Sequence, residues 1–272
     1  MTRTSHPSTV REGVLSGGLP YLAQGKGPAV VVLPGLEPTN ENPRGAARRS
    51  ELRRWAGLAE DHTVYLVRRR PGVPEGCTMA DLAADHARAL ELEVDGPVGV
   101  LGISTGGSVA LQLAIDHPEV VRRLVLLAAA CRLSDDGRWR QRAHAAYLAA
   151  GEQRRAQRVL APALTASPLM SSLIGGLLWL AGPAISPRDP TDLLRTIEAE
   201  DSFDVTDQLH RISVPTLVIG GARDGFHGAE LFERTAAGIP GAVLRLHPTR
   251  GHAGTVMNAD ARRLAGGFLR SA

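Results

Sequence analysis

Two rhythms alternate along this chain. Short runs of nearly unbroken apolar residues occur at 29–33 (AVVVL), 63–67 (TVYLV), 98–101 (VGVL), 124–127 (LVLL), 216–219 (TLVI) and 243–246 (VLRL). Runs this short, rich in Val, Leu and Ile and with little polar alternation, predict strands buried on both faces, as in a parallel sheet covered by helices on either side. Between them, at 48–59, 79–93, 107–116, 229–237 and 259–269, apolar residues recur every three or four positions and predict helices. Strand and helix signals in strict alternation predict an α/β fold with a mostly parallel, doubly wound sheet. Ahead of the first of these strands, 9–24 predicts an antiparallel hairpin turning at Ser16-Gly17-Gly18.

The alternation stops between 132 and 212. No strand-like run falls there, and the segment is helical in pattern, with Pro162, Pro168, Pro183, Pro187 and Pro190 as breaks. So long a stretch between two core strands is not a loop. It predicts a helical cap at 132–212 inserted into a core made of 1–131 and 213–272. Its stretch 169–185 (LMSSLIGGLLWLAGPAI) is apolar but interrupted by serines, glycines and Pro183, and marginally short for a bilayer crossing. It is expected to be a buried or cap helix rather than a stable membrane span.

Composition narrows the classes. The 272 residues are 43% hydrophobic, enough for one large core, and the formal net charge is only +3. The positive charge is almost all arginine, scattered along the chain, with Lys26 the sole lysine. Aromatics make up 4%, so the continuous basic face with stacking rings that nucleic-acid binding needs is not expected. Cys77 and Cys131 match no metal or redox spacing, and the start of the chain (MTRTSHPSTVREG) holds no apolar leader. These features predict a soluble cytoplasmic protein with no metal site at its cysteines; oligomeric state is left open.

One segment carries chemistry. The predicted strand at 98–101 runs into Gly102-Ile103-Ser104-Thr105-Gly106, and a predicted helix follows. A sharp strand-to-helix turn forces its central residue into strained backbone angles, and glycines on either side remove the Cβ atoms that would clash. Ser104 Oγ then stands clear at a helix N-terminus, with the Thr105 N–H aimed where an oxyanion would form.

With this elbow, the helix after it and the next strand (GISTGGSVALQLAIDHPEVVRRLVLL), the sequence resembles the α/β-hydrolase superfamily over nearly its whole length. The resemblance implies the α/β-hydrolase fold and catalytic residues in the order nucleophile, acid, histidine. Asp224, in Ala222-Arg223-Asp224-Gly225 after the strand at 216–219, holds the acid's place; Asp135 and Asp136 stand where some members carry it instead. His252, in Gly251-His252 between the last strand and the last helix, matches the family's histidine, whereas His62, His86 and His117 read as surface or capping residues and His227 and His247 as loop and strand-end residues. A histidine suits the role because it exchanges protons near neutrality. After the first core strand the family usually has His-Gly; this chain has Pro34-Gly35, so the N–H of Leu36 is expected as the second oxyanion donor while the bracing of that loop departs from the pattern.

The resemblance therefore implies a cofactor-independent serine hydrolase that cleaves a carboxylic ester through an acyl-enzyme. Thioesterase, carbon–carbon bond hydrolase and cofactor-free perhydrolase share these residues, and some relatives are non-catalytic receptors. The apolar residues of the cap, Trp179 among them, and Gly35 beside the elbow are expected to contact a small-molecule substrate with a hydrophobic acyl or alcohol group.

Overall fold

The computed structural model describes residues 10–270. Thr9, where the expected hairpin begins, and residues 1–8 of the stretch read above for a leader lie outside that range. The described chain builds an eight-stranded sheet: β1 (Arg11–Leu15), β2 (Leu19–Gln24), β3 (Ala29–Leu33), β4 (Thr63–Val67), β5 (Val98–Ile103), β6 (Val121–Leu127), β7 (Thr216–Gly221) and β8 (Val243–His247). Their spatial order is β1-β2-β4-β3-β5-β6-β7-β8. The β1–β2 and β2–β4 pairs are antiparallel, and every pair from β4–β3 onward is parallel.

The unbroken apolar runs follow from this arrangement. Along β3, β5 and β6 successive side chains alternate between two cores: Val31, Leu33, Val98, Val100, Leu124 and Leu126 on one face, and Val30, Val32, Leu101, Ile103, Val125 and Leu127 on the other. A polar residue at any of these positions would be buried without a partner. The first face is covered by α2 (Met79–Glu93), α3 (Thr105–Asp116) and α9 (Gly228–Gly238); the second by α1 (Gly45–Trp55) and α11 (Ala259–Arg270). Thr78 starts α2 with a reciprocal capping box to Asp81, which satisfies two of the free N–H groups at that end.

The segment between β6 and β7 is helical: α4 (Asp135–Ala149), α5 (Gln153–Val159), α6 (Ala161–Leu164), α7 (Pro168–Ile185) and α8 (Thr191–Asp201). α7 is long and apolar enough to cross a membrane; of the two expectations, buried or cap helix, burial does not hold, and the helix lies in the inserted segment largely exposed. Its buried residues are Gly175 and Gly182, while Leu169, Leu173, Leu177 and Leu180 are exposed. Glycine faces inward because the next helix comes so close: a Cβ on Gly182 would lie 2.9 Å from the Arg154 Cα.

Candidate active site

The register of the sheet assembles the site. β3 and β5 lie side by side with Leu33 opposite Gly102 and yet lead off in opposite directions across the sheet, leaving a crevice at their C-terminal ends. β6, β7 and β8 end on the same edge, Ile103 opposite Leu127 and Gly221 opposite His247. Loops leaving β3, β5, β7 and β8 are thus brought together although they are far apart in sequence.

At the end of β5 the chain turns abruptly into α3. Ser104 occupies the turn with φ 50 and ψ −126, a conformation that costs about 1–3 kcal/mol for a residue with a side chain. Two bonds hold it there: the Ser104 N–H donates to the Leu127 carbonyl at 3.0 Å, and the Gly107 N–H to the Ser104 carbonyl at 2.6 Å. Gly106 permits the approach of β3, since a Cβ there would lie 2.2 Å from the Leu33 carbonyl oxygen. Gly35, in the loop after β3, sits against the serine, its ideal Cβ position only 3.2 Å from Ser104 Cβ.

Asp224 and His252 meet across the edge. The buried Asp224 Oδ2 accepts from His252 Nδ1 at 2.8 Å, while Oδ1 accepts the backbone N–H groups of Phe226 at 2.8 Å and His227 at 3.3 Å. Burial alone would raise the carboxyl, but His252, His227 and the Phe226 N–H outweigh it and hold Asp224 below the usual carboxylate range. The carboxylate fixes the Nδ1–H tautomer, which leaves His252 Nε2 free to accept a proton. The Phe226 ring packs edge-on against His252, centroids 4.8 Å apart. His227 is buried beside them; burial pushes its imidazole down, with Asp224 opposing, and its Nδ1 donates to the Arg132 carbonyl at 3.1 Å.

Ser104, Thr105, Gly35, Leu36 and His252 line one cavity of about 600 Å³. Asp135 and Asp136 lie apart from it, on the exposed first turn of α4. Trp179 is likewise absent from the cavity wall: it is 41% exposed on α7, with the Arg154 guanidinium stacked 4.5 Å over its ring. Two of the histidines read as surface or capping residues, His62 and His86, are buried, each 3% exposed. His86 shares a helix face with Leu82 and Leu90, four residues to either side, and that spacing was the available signal.

Three further groups escaped the sequence reading. The loop carrying Pro34-Gly35 is braced from the segment just after β4: Arg69 donates to the Pro34 carbonyl at 3.3 Å and to the Gly35 carbonyl at 3.0 Å. This buried guanidinium does by hydrogen bonding what the missing histidine was expected to do. Its neighbour Arg68 pairs with Glu37 at 3.1 Å and Glu51 at 2.5 Å, anchoring the chain just past Leu36. Burial raises the Glu37 carboxyl, with Arg68 opposing. Beneath the elbow, Glu200 of α8 is fully buried and accepts from the hydroxyls of Thr105 at 2.8 Å and Ser108 at 2.9 Å. The Gln141 amide of α4 donates to the same carboxyl at 3.0 Å.

A serine on a strained turn at the C-terminal edge of a central parallel strand, sharing a cavity with a histidine hydrogen-bonded to an aspartate, is the architecture of the α/β-hydrolase class. A family model described as the alpha/beta hydrolase family matches residues 30–266, and the chain belongs to that family. Among curated relatives, a pimeloyl-[acyl-carrier protein] methyl ester esterase of Neisseria meningitidis is 28% identical over 189 residues, 66% of this chain and 71% of that protein. Pyrrolizixenacetamide deacetylase of Xenorhabdus hominickii is 28% identical over 207 residues, 75% of this chain and 76% of that protein. In fold, the chain is similar to an alpha/beta hydrolase enzyme from a Medee basin deep-sea metagenome library, with a TM-score of 0.79 at 19% identity, covering 93% of this chain and 94% of that one.

Proposed function

We propose that the protein is a serine hydrolase that cleaves a carboxylic ester, with residues 132–212 as a cap over a core of 1–131 and 213–272. The observation that carries this reading is the buried Asp224–His252 hydrogen bond on the wall of the cavity that also holds Ser104. His252 Nε2 takes the Ser104 proton as Oγ attacks the ester carbonyl. The negative charge that develops on the carbonyl oxygen is met by the N–H groups of Thr105 and Leu36. The Thr105 N–H is free of the helix ladder because it opens α3, and it adds the positive end of the helix dipole. Asp224 keeps the imidazole in the accepting tautomer and stabilises the imidazolium. His252 then protonates the leaving alcohol, and the acyl group stays on Ser104 until His252 activates a water to release it.

The curated relatives named as an ester hydrolase and a deacetylase support acyl transfer to water. The two buried, unpaired cysteines, Cys77 and Cys131, support a reducing, cytoplasmic setting.

Ser104 should accept one fluorophosphonate group, read as a single added mass on the intact protein and absent from Ser104→Ala. A panel of p-nitrophenyl esters and matching thioesters then separates esterase from thioesterase. Labelling that persists in Ser104→Ala, or fails in folded wild-type protein, removes the serine from its role. Tight binding of ligands without turnover would make the protein a receptor.

A further inference from the structure

One helix of the cap, α4, turns two polar side chains toward a cavity that Leu160, Leu164 and Leu193 of the same segment also line. Gln141 and His144 lie three residues apart on α4, hence on the same side of the helix. They are 4% and 3% exposed, and both line the cavity with Ser104. A cap built only to hold a hydrocarbon chain would place leucine or phenylalanine at these positions, since buried polar groups are costly unless paired.

Each of the two side chains is fixed from behind. Glu200 takes the Gln141 NH₂ group, so the amide oxygen points away from the carboxyl, and Oε1 is left without a partner among the described residues. His144 Nδ1 lies 2.7 Å from the Ala156 carbonyl. A carbonyl can only accept, so the proton sits on Nδ1. Burial pushes this imidazole down, with the Ala156 bond opposing, and the ring is neutral. Nε2 on the opposite edge therefore carries a lone pair, and no hydrogen bond reaches it from the described residues. The Nδ1 bond ties α4 to α5 and accounts for one ring nitrogen. It gives no reason for the other, which a phenyl ring would replace at lower cost.

We infer that His144 is a specificity-determining residue, and that the substrate carries a hydrogen-bond donor, a hydroxyl or N–H, on the part lying under the cap, received by His144 Nε2. This rests on the ester-hydrolase reading above and adds to it the chemical class of the substrate. The two sides of the cavity then divide the work. The edge of the sheet, with Ser104, His252 and the N–H groups of Thr105 and Leu36, meets the acyl carbon. The cap meets the donor, and an unpaired acceptor is a strong filter because a substrate lacking the donor leaves it buried and unsatisfied.

The test uses methyl esters of straight-chain acids from four to eight carbons. Each is prepared with a terminal methyl, a terminal hydroxyl and a terminal methoxy group, and acid release is followed in a pH-stat. The methoxy form retains the oxygen and lacks the donor. At the length that reaches His144, kcat/KM for the hydroxy ester should exceed that for the methoxy ester by about tenfold to a hundredfold. His144→Phe should bring the two within about twofold while Ser104 still takes one fluorophosphonate group. His144→Gln, which keeps an acceptor near the position of Nε2, should retain part of the preference. Turnover without a hydroxyl preference at any length in the wild type, or a preference that survives His144→Phe, overturns the inference. Wild-type protein that neither takes the reagent on Ser104 nor hydrolyses any of these esters overturns the hydrolase reading and this inference with it.

Discussion

Replacing Asp224 by asparagine changes one atom, and the surrounding bonds dictate where that change falls. Oδ1 accepts two backbone N–H groups, from Phe226 and His227, and only a carbonyl oxygen can take over that position. The new NH₂ group is therefore forced into the place of Oδ2, 2.8 Å from His252 Nδ1. An N–H facing Nδ1 requires Nδ1 to accept, so the ring proton moves to Nε2 and the imidazole can no longer take a proton from Ser104. The loop keeps its two backbone bonds, and the fold is retained. A wrong-tautomer histidine lowers kcat by about 10⁴, equivalent to about 5 kcal/mol at the transition state. The assay is kcat on p-nitrophenyl acetate alongside thermal unfolding, with Asp135→Asn as a control that should be silent, because the Asp135 side chain is 99% exposed. A folded Asp224→Asn protein with kcat within about tenfold of wild type would refute the reasoning. Stability follows the same carboxylate. Because Asp224 sits below the usual range in the folded protein, its contribution is present above the unfolded carboxylate pKa and is lost as pH falls through the folded value.

Two further outcomes follow from residues outside the Ser104–His252–Asp224 set. Arg69→Met strands the Pro34 and Gly35 carbonyls and loosens the loop that presents the Leu36 N–H, so kcat should fall about tenfold to a hundredfold with KM little changed; equal loss in both constants would tell against a role in the transition state. His86, buried in α2, is lowered by burial from 6.5 to about 4, so between those values the unfolded chain binds a proton that the folded one refuses. Stability from this residue is full above 6.5 and is lost on acidification, with about 2 kcal/mol gone by pH 5; the urea midpoint of His86→Phe should move less between pH 7 and pH 5 than that of wild type.

What was legible in the sequence was what neighbouring residues decide among themselves. The strands at 29–33 and 63–67 and the helix at 79–93 fall where the pattern puts them, because burial on two faces, or on one helical face, leaves a periodic imprint. The Ser104 turn was legible for the same reason, since glycines on both sides of a serine are a local demand. The groups that escaped act at long range. Thr105 and Glu200 are 95 positions apart, and no local pattern marks Glu200 as buried. Arg69 reads as one of three consecutive arginines, and nothing in that run says that one reaches the loop after β3. The choice left open for α7, buried or cap helix, was not legible for a physical reason: composition reports how apolar a helix is but not which side faces out, and here the inner side belongs to Gly175 and Gly182.

Glu200 also bears on how the molecule moves. Its carboxyl ties α4 and α8 to the first turn of α3, so these helices and the elbow are expected to open as one cooperative unit. Breaking any one of the three bonds leaves a buried acid short of a donor, a state the folded protein visits rarely. α7, by contrast, holds to its neighbours through small residues and keeps its leucines in water. In a hydrogen-exchange experiment the amides of α8 should therefore be released with those of α3, long after those of α7. The inserted helices are in this sense two materials, one tied to the elbow and one standing clear of the cavity.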